Sequence, residues 1–137
     1  MKSRHLATPP YRFRKFWVAL GWLLVLAIVY LSVAPNPPQI DVEQGDKFGH
    51  VIAYGVLMLW FAQLYPRTGV RMAYAAGFML LGVALEFVQR MTGYRSFEYA
   101  DMIADAGGVL LGWLAGPPRL PNALGWLDTL LHSPARP

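Results

Sequence analysis

The sequence predicts an all-α membrane protein, a bundle of four transmembrane helices followed by a short interfacial helix. Two observations indicate this class: 55% of the 137 residues are hydrophobic while 15% are charged, and the hydrophobic residues form long segments that prolines separate. A chain of this length with so few charges is too apolar for an ordinary soluble domain. Helices are the expected elements because each satisfies its own backbone hydrogen bonds in lipid.

Four apolar segments are the expected spans. They are residues 16–34, 48–65, 72–88 and 99–116. The first contains 19 residues without a charge, and at about 1.5 Å per residue it covers roughly 30 Å of hydrocarbon. The fourth has the shortest uncharged run because Asp101 and Asp105 lie in its first turns. We therefore expect these two acids at the membrane interface.

The first segment has an alternative interpretation as a cleaved signal peptide, since Ser32-Val33-Ala34 has the small-x-small pattern of a cleavage site. Its apolar run is longer than the roughly 7 to 15 residues of a signal peptide core. Pro35 also follows the pattern directly. We therefore expect this segment to remain as a membrane anchor.

One domain, residues 16–116, is expected between two tails. Residues 1–15 form a basic tail without acids, and residues 117–137 contain leucines at helical spacing, namely Leu120, Leu124, Leu127 and Leu131. This spacing predicts an interfacial helix within residues 121–131, because the segment is too short for a fifth span and carries Asp128. A helix that binds a partner protein is the alternative interpretation.

The distribution of basic residues predicts the orientation in the membrane. With four spans and a cytoplasmic N-terminus, nine lysines and arginines lie on the cytoplasmic side and three on the other. Both termini are then cytoplasmic. The same distribution explains the net charge of +4 without a nucleic-acid partner. Because the chain has no cysteine, disulfides, thiolate metal sites and cysteine nucleophiles are excluded.

Polar residues converge at the outer ends of three predicted spans. The second span begins there, the third ends there and the fourth begins there. Asp46, His50 and Tyr54 are four residues apart and share one helix stripe. The full set comprises Asp46, Lys47, His50, Tyr54, Glu86, Gln89, Arg90, Arg95, Asp101 and Asp105. Since an ionisable group costs roughly 2.5 to 3.5 kcal/mol at the centre of a bilayer, the set predicts an outward-facing polar pocket.

Several of these residues have more than one interpretation. His50 either pins helices together by hydrogen bonds, handles protons or binds a metal. The chain has no H-x-x-x-H or H-E-x-x-H pattern, so no metal or cofactor is assigned, although a divalent cation would suit the carboxylates. Arg95 is either a counter-ion or a phosphate ligand. Tyr54 is expected to hydrogen-bond another helix, and Glu86 is the strongest functional candidate because a buried carboxylate needs a partner.

The polar residues also follow an ordered pattern: Asp46-Lys47-x-x-His50-x-x-x-Tyr54, then Glu86-x-x-Gln89, then Arg95 with Asp101-x-x-x-Asp105-x-x-Gly108. This pattern resembles the VanZ-like family of small bacterial membrane proteins over residues 16–116. The resemblance implies a helical protein of the cell envelope, and the family's namesake is linked to teicoplanin-type glycopeptide resistance. The family usually has asparagine in place of Asp105. An additional acid beside Asp101 either has a raised pKa or calls for a cation.

Three functions follow as hypotheses. The first is a binding protein whose pocket takes the headgroup of an envelope lipid or cell-wall precursor, with Arg95 and Lys47 on phosphate and an effect on glycopeptide susceptibility. The second is an intramembrane enzyme acting on a lipid-linked substrate, with His50, Glu86 and Asp101 as catalytic acid–base residues. It ranks second because no nucleophile–base motif is present. The third is a small proton-coupled transporter.

The expected location is the bacterial cytoplasmic membrane, which the chain crosses several times with its polar site facing outward. The lipid bilayer is therefore the first expected partner. Gly108, Gly112 and Gly116 repeat every fourth residue on the fourth span. Such a strip lets another helix approach closely, so an oligomer through these glycines is a further expectation.

Overall fold

A computed structural model describes residues 11–39 and 41–132, and all regular structure in that part of the chain is helical. The helices are α1 (Arg14–Val33), α2 (Gly45–Leu64), α3 (Thr68–Thr92), α4 (Tyr99–Ala115) and α5 (Ala123–Leu130). The predicted all-α class is confirmed. Most of the predicted basic tail, residues 1–10, and the last five residues, 133–137, lie outside the described residues.

Three helices, α1, α2 and α3, are long and apolar enough to cross a membrane. The chain is therefore compatible with a multi-pass membrane protein. The helix predicted for the fourth span is present as α4, but its 17 residues extend only about 25 Å at 1.5 Å per residue. Its length is thus short of the roughly 30 Å of a typical hydrocarbon core.

The helix ends differ from the predicted span ends, most of all in α3. This helix runs from Thr68 to Thr92, about one turn beyond the predicted segment 72–88 at each end. The polar residues Gln89 and Arg90 continue the helix rather than ending it. Gly93 ends it, because its φ of 74° lies in the left-handed region that glycine adopts without strain.

Helices α2 and α4 approach each other closely because glycines line their contact. A Cβ atom added to Gly108 would lie 2.5 Å from the carbonyl oxygen of Val51, and one added to Gly55 would lie 3.4 Å from the carbonyl oxygen of Gly108. Gly112 and Gly116 also face α2. The predicted glycine strip is therefore used within the chain. An oligomer through this strip stays a prediction.

Helix α2 is the centre of the core. Leu57, Met58 and Phe61 on this helix are fully buried. The Phe61 ring lies 4.5 Å from the ring of Tyr74 and 5.2 Å from the ring of Phe78, both on α3. The outer surface is apolar as well, since large hydrophobic side chains on α1, α3 and α4 are exposed. A surface of this kind fits lipid better than water.

At one end of the bundle, α5 docks onto the start of α1. The Asp128 carboxylate accepts hydrogen bonds from the backbone N–H groups of Arg12 at 2.8 Å and Phe13 at 3.0 Å, and from the Trp17 indole N–H at 2.7 Å. Burial by itself would raise the pKa of Asp128, but these three donors outweigh burial and hold that pKa below its usual value. Asp128 thus fixes the two residues that lead into α1, together with Trp17 in its first turns.

A second set of hydrogen bonds ties α2 to the same end. The backbone carbonyl of Gln63 accepts from the Tyr11 hydroxyl at 2.9 Å and from the Asn122 amide at 3.1 Å, and the Gln63 side-chain oxygen accepts from the backbone N–H of Leu124 at 3.1 Å. We call Tyr11, Gln63, Asn122 and Asp128 the latch. The predicted helix within residues 121–131 is therefore present, and the latch holds it against the bundle.

Candidate functional site

The opposite end of the bundle holds the predicted polar residues. Here α1 ends, α2 begins, α3 ends and α4 begins. His50, in the second turn of α2, faces two acids of α4 that are one helical turn apart. Its Nδ1 lies 2.7 Å from Asp105 Oδ1, and its Nε2 lies 3.6 Å from Asp101 Oδ2.

The two ring nitrogens of His50 have different roles. An ionised Asp105 can only accept a hydrogen bond, so the pairing assigns the proton of a neutral imidazole to Nδ1. The Nε2 lone pair then faces Asp101. Their distance of 3.6 Å is too long for a hydrogen bond. His50 is therefore oriented by Asp105, and its other nitrogen is left to meet a further group.

Glu86 reaches the same point from α3. Its side chain is 1% exposed, and Oε2 accepts a hydrogen bond from the backbone N–H of Glu98 at 3.1 Å. One potential ligand atom from each of His50, Glu86 and Asp101 lies within 4.8 Å of the others. The structure thus brings the three candidate catalytic residues together, although they come from three helices.

Lys47 is surrounded by acids. Its Nζ atom lies 2.7 Å from Asp46 Oδ2, 2.6 Å from Glu98 Oε2 and 2.8 Å from Asp101 Oδ1. The ammonium group therefore joins the first turns of α2 and α4. This arrangement differs from the expectation that Lys47 meets a phosphate, because its ammonium group donates to Asp46 and Glu98 and forms an ion pair with Asp101.

Two cavities adjoin the acids and His50. The inner pocket, of about 160 Å³, is lined by His50, Tyr54, Gln89 and Arg95 among others. The outer cavity, of about 560 Å³, includes Asp46, His50, Arg95 and Asp101 in its lining. Because His50, Asp46 and Arg95 line both spaces, the two cavities are adjacent and their walls are polar where they meet.

Two buried polar atoms beside the inner pocket have no hydrogen-bond partner in the described part of the chain, the Tyr54 hydroxyl and Gln89 Oε1. The expected hydrogen bond from Tyr54 to another helix is therefore not formed. The Gln89 amide nitrogen is used, because it donates to the carbonyl of Ser32 at 3.0 Å. Leaving a buried polar group unpaired costs about 1 to 3 kcal/mol, so these atoms point to a ligand or bound water.

The two predicted arginines differ in their surroundings. Arg95 lines both cavities, and among residues 11–39 and 41–132 no carboxylate forms an ion pair with it. Arg90 is exposed, and its guanidinium lies 5.7 Å from the centre of the Phe97 ring. The described part of the chain therefore supplies no counter-ion for Arg95, and its role as a phosphate ligand stays a prediction.

Two residues that the sequence interpretation left out complete the site. Glu98 precedes α4 and contacts both Lys47 and Glu86. Gly82 lies one turn before Glu86, and a Cβ atom there would lie 2.6 Å from Asp105 Oδ2. A glycine on the same helix stripe as a buried acid was the available signal for Gly82, because it marks a close approach of another side chain.

No protein-family model matches the sequence, and no solved structure matches it. The chain is similar to Uncharacterized protein C11E3.10 of the yeast Schizosaccharomyces pombe, with 29% identity over 107 residues. The match covers 76% of this chain and 64% of the relative, so the chain spans less than two thirds of that protein's length. The resemblance to the VanZ-like family stays a prediction.

Proposed function

We propose that this chain is a multi-pass membrane protein that binds the phosphate-bearing headgroup of a membrane lipid in its outer cavity. The observation that carries the proposal is Arg95, which lines both cavities and forms no ion pair in the described part of the chain. A guanidinium group matches a phosphate with two parallel hydrogen bonds. The neighbouring acids face protein partners, since Asp46, Glu98 and Asp101 pair with Lys47 and Asp105 pairs with His50.

The surroundings of the cavity suit a lipid rather than a soluble anion. Apolar side chains on the helices that form the site are exposed: Phe48 and Ile52 on α2, and Tyr99 and Ile103 on α4. Acyl chains would contact this surface while the headgroup enters the outer cavity. Its volume of about 560 Å³ is within the usual range for a small-molecule site.

The proposal includes four spans, cytoplasmic termini and a site that faces outward. Helix α4 is short, but Asp101 and Asp105 are covered by α2 and α3 rather than exposed, which lowers the cost of placing them in a membrane. The count of nine basic residues against three supports the orientation.

Cysteine labelling tests this orientation, because the chain has no cysteine of its own. Ser96→Cys lies at the site end and Arg67→Cys at the latch end, and both positions are exposed. A membrane-impermeant maleimide added to intact cells should label Ser96→Cys and leave Arg67→Cys unlabelled until the membrane is opened. The opposite result would place the site on the cytoplasmic side.

The proposed ligand group is a phosphate, and no particular lipid is specified. The VanZ-like resemblance favours an envelope lipid or cell-wall precursor of a bacterial cytoplasmic membrane and an effect on glycopeptide susceptibility. The similar protein is from a yeast, which favours a headgroup found in both kinds of membrane. A phosphodiester or phosphomonoester headgroup meets both requirements.

An intramembrane enzyme is the second candidate function. The observation that favours it is the 2.7 Å contact of Asp105 with His50 Nδ1, since a carboxylate that orients an imidazole is a common arrangement for a general base. The imidazole also borders both cavities. Acid–base group transfer or hydrolysis on the headgroup would use this arrangement.

Binding of defined lipids to the purified protein tests the first candidate. Short-chain phosphatidic acid and phosphatidylglycerol should bind, whereas diacylglycerol of the same chain length should not. Arg95→Gln should weaken phosphate-lipid binding about 10- to 100-fold, because it removes a charged hydrogen bond worth about 1.5 to 3 kcal/mol. Native mass spectrometry measures the binding.

Arg90→Gln is the matched control, since it removes an exposed arginine that lines neither cavity, and it should bind as the unaltered protein does. Equal binding of diacylglycerol, or equal losses in the two arginine variants, would contradict the headgroup proposal. The same spectra address the second candidate. A lipid product of new mass that disappears in His50→Ala would favour the enzyme.

A further inference from the structure

We propose that His50, Glu86 and Asp101 bind one divalent transition-metal ion, of the Zn²⁺ or Mn²⁺ type, and that Asp105 positions His50 for it. The sequence alone assigned no metal here, because the three residues lie far apart in the chain and form no known ligand motif. The inference is independent of which lipid the outer cavity takes.

The first support is a distance. His50 Nε2 and Asp101 Oδ2 are 3.6 Å apart, which is too far for a hydrogen bond. Ligand atoms about 2.1 Å from a tetrahedral ion lie about 3.4 Å from one another. The observed separation therefore matches that between two ligands of one ion. Glu86 belongs to the same cluster, in which one potential ligand atom from each of the three residues lies within 4.8 Å of the others.

The second support is that each carboxylate is held by one oxygen. Asp101 Oδ1 pairs with Lys47 at 2.8 Å, while Oδ2 is turned towards His50. Glu86 Oε2 accepts a hydrogen bond from the backbone N–H of Glu98. Within the described residues, the carboxylate of Glu86 forms no other hydrogen bond. One oxygen of each acid thus fixes the side chain, and one is left for an ion.

The third support is the carboxylate behind His50. Asp105 is 2% exposed and lies 2.7 Å from Nδ1, as in the carboxylate–histidine–metal arrangement that fixes the tautomer of a ligating imidazole. Gly82 provides the space that Asp105 occupies. With Asp101, Asp105 and Glu86 buried around one imidazole, a cation also compensates charge that would otherwise repel.

An independent observation comes from the inner pocket. The Tyr54 hydroxyl and Gln89 Oε1 are buried without a partner, both side chains are 2% exposed, and both residues line the pocket together with His50. Three protein ligands leave positions on an ion that water fills. Waters in those positions would give the hydroxyl and the amide oxygen the partners that the described residues do not supply.

The ligand types select the class of ion. One imidazole nitrogen with two carboxylate oxygens suits Zn²⁺, Mn²⁺ or Fe²⁺, whereas Ca²⁺ and Mg²⁺ prefer oxygen ligands alone. The chain offers no thiolate for softer ions. A second set of acids, Asp46, Glu98 and Asp101, is close enough to hold an ion, but the Lys47 ammonium already lies among these carboxylates.

Metal binding by the full-length chain in detergent tests the proposal. After removal of metal by a chelator, titration with Zn²⁺ and, separately, Mn²⁺ should give about one tightly bound ion per chain by calorimetry and elemental analysis. Thermal unfolding should shift upward with ion concentration, since the ion binds the folded chain. Glu86→Gln should weaken binding at least tenfold, and Asp105→Asn about tenfold.

Glu43→Gln is the matched control, because it removes an exposed acid that lines neither cavity, and its affinity should be unchanged. Asp101→Asn keeps the shape of the side chain and provides a second test if Glu86→Gln does not fold. Binding far below one ion per chain, or equal affinity in the control and the ligand variants, would overturn the metal site. It would mean that these side chains hold the helices together without an ion.

Discussion

The two ends of the helical bundle both hold buried polar side chains, yet they use them differently. At the latch end, the side chains of Asp128 and Gln63 accept hydrogen bonds from four donors, three of them backbone N–H groups. At the site end, Tyr54 and Gln89 keep buried atoms without partners in the described part of the chain and border a cavity. The acids and amides of the latch are satisfied by donors of the fold, although the buried Trp113 indole N–H near the end of α4 has no partner in the described part of the chain. At the site end, the unpaired atoms of Tyr54 and Gln89 lie beside a cavity.

This difference shows that a buried acid does not by itself indicate a functional site. Asp128 and Asp101 are both acids near a helix terminus and both are buried. The two acids differ in their hydrogen bonds. The Asp128 carboxylate accepts three hydrogen bonds from other parts of the protein, whereas Asp101 Oδ2 faces a His50 nitrogen that is too distant for a hydrogen bond. Unused bonding capacity beside a cavity is therefore the better criterion.

The largest expected effect concerns how the site end is assembled. There, α2 and α4 meet through glycine backbone rather than through side-chain hydrogen bonds. Gly108→Leu should reduce the free energy of unfolding by about 3 kcal/mol, because its Cβ atom would lie 2.5 Å from the Val51 carbonyl oxygen and the backbone of a packed helix has little room to move. Yield of folded protein and thermal unfolding in detergent measure the loss.

The neighbouring glycine provides the control for this prediction. A Cβ atom at Gly107 has no atom within 4 Å, so Gly107→Leu should fold nearly as the unaltered chain does. If both variants fold equally well, the close approach of α2 and α4 does not hold the site end together, and the comparison between the two ends loses its basis.

The sequence predicts which segments are helical and which polar residues share one end of the bundle, because both follow from the positions of the apolar segments along the chain. Long apolar runs between prolines define the helices, and antiparallel order brings Asp46, Glu86 and Asp101 to the same end whatever their detailed packing. The individual side-chain contacts between these residues cannot be predicted in this way. That Lys47 meets three carboxylates depends on the rotation of α2 against α4, which the glycine contact sets.

The latch was beyond prediction for a different reason. Asp128 looks like a polar residue on a short amphipathic helix, and its partners Arg12 and Phe13 are 116 and 115 residues away in the chain. Nothing in the neighbouring sequence distinguishes an acid that binds a distant backbone segment from one exposed to solvent. Leu124 and Gln63 illustrate the same limit, since their hydrogen bond joins residues 61 apart.

Gln63→Leu, at the latch end, should reduce the free energy of unfolding by less than Gly108→Leu does. This change keeps a side chain of similar volume but leaves the backbone N–H of Leu124 without its acceptor. The variant should lose about 1 to 3 kcal/mol of unfolding free energy, because the donor stays buried. Thermal or denaturant unfolding in detergent, followed by tryptophan fluorescence, measures the change, and Trp17 at the latch makes the signal sensitive to this end.

Asp105→Asn is the matched change at the site end, and it should cost less than about 1 kcal/mol. The amide oxygen of asparagine still accepts the His50 Nδ1 proton, and loss of one charge relieves repulsion with Asp101. A loss of stability in Asp105→Asn equal to that in Gln63→Leu would mean that the site end is a second structural latch. A small loss together with weaker metal binding would mean that its acids are retained for a ligand and not for the fold.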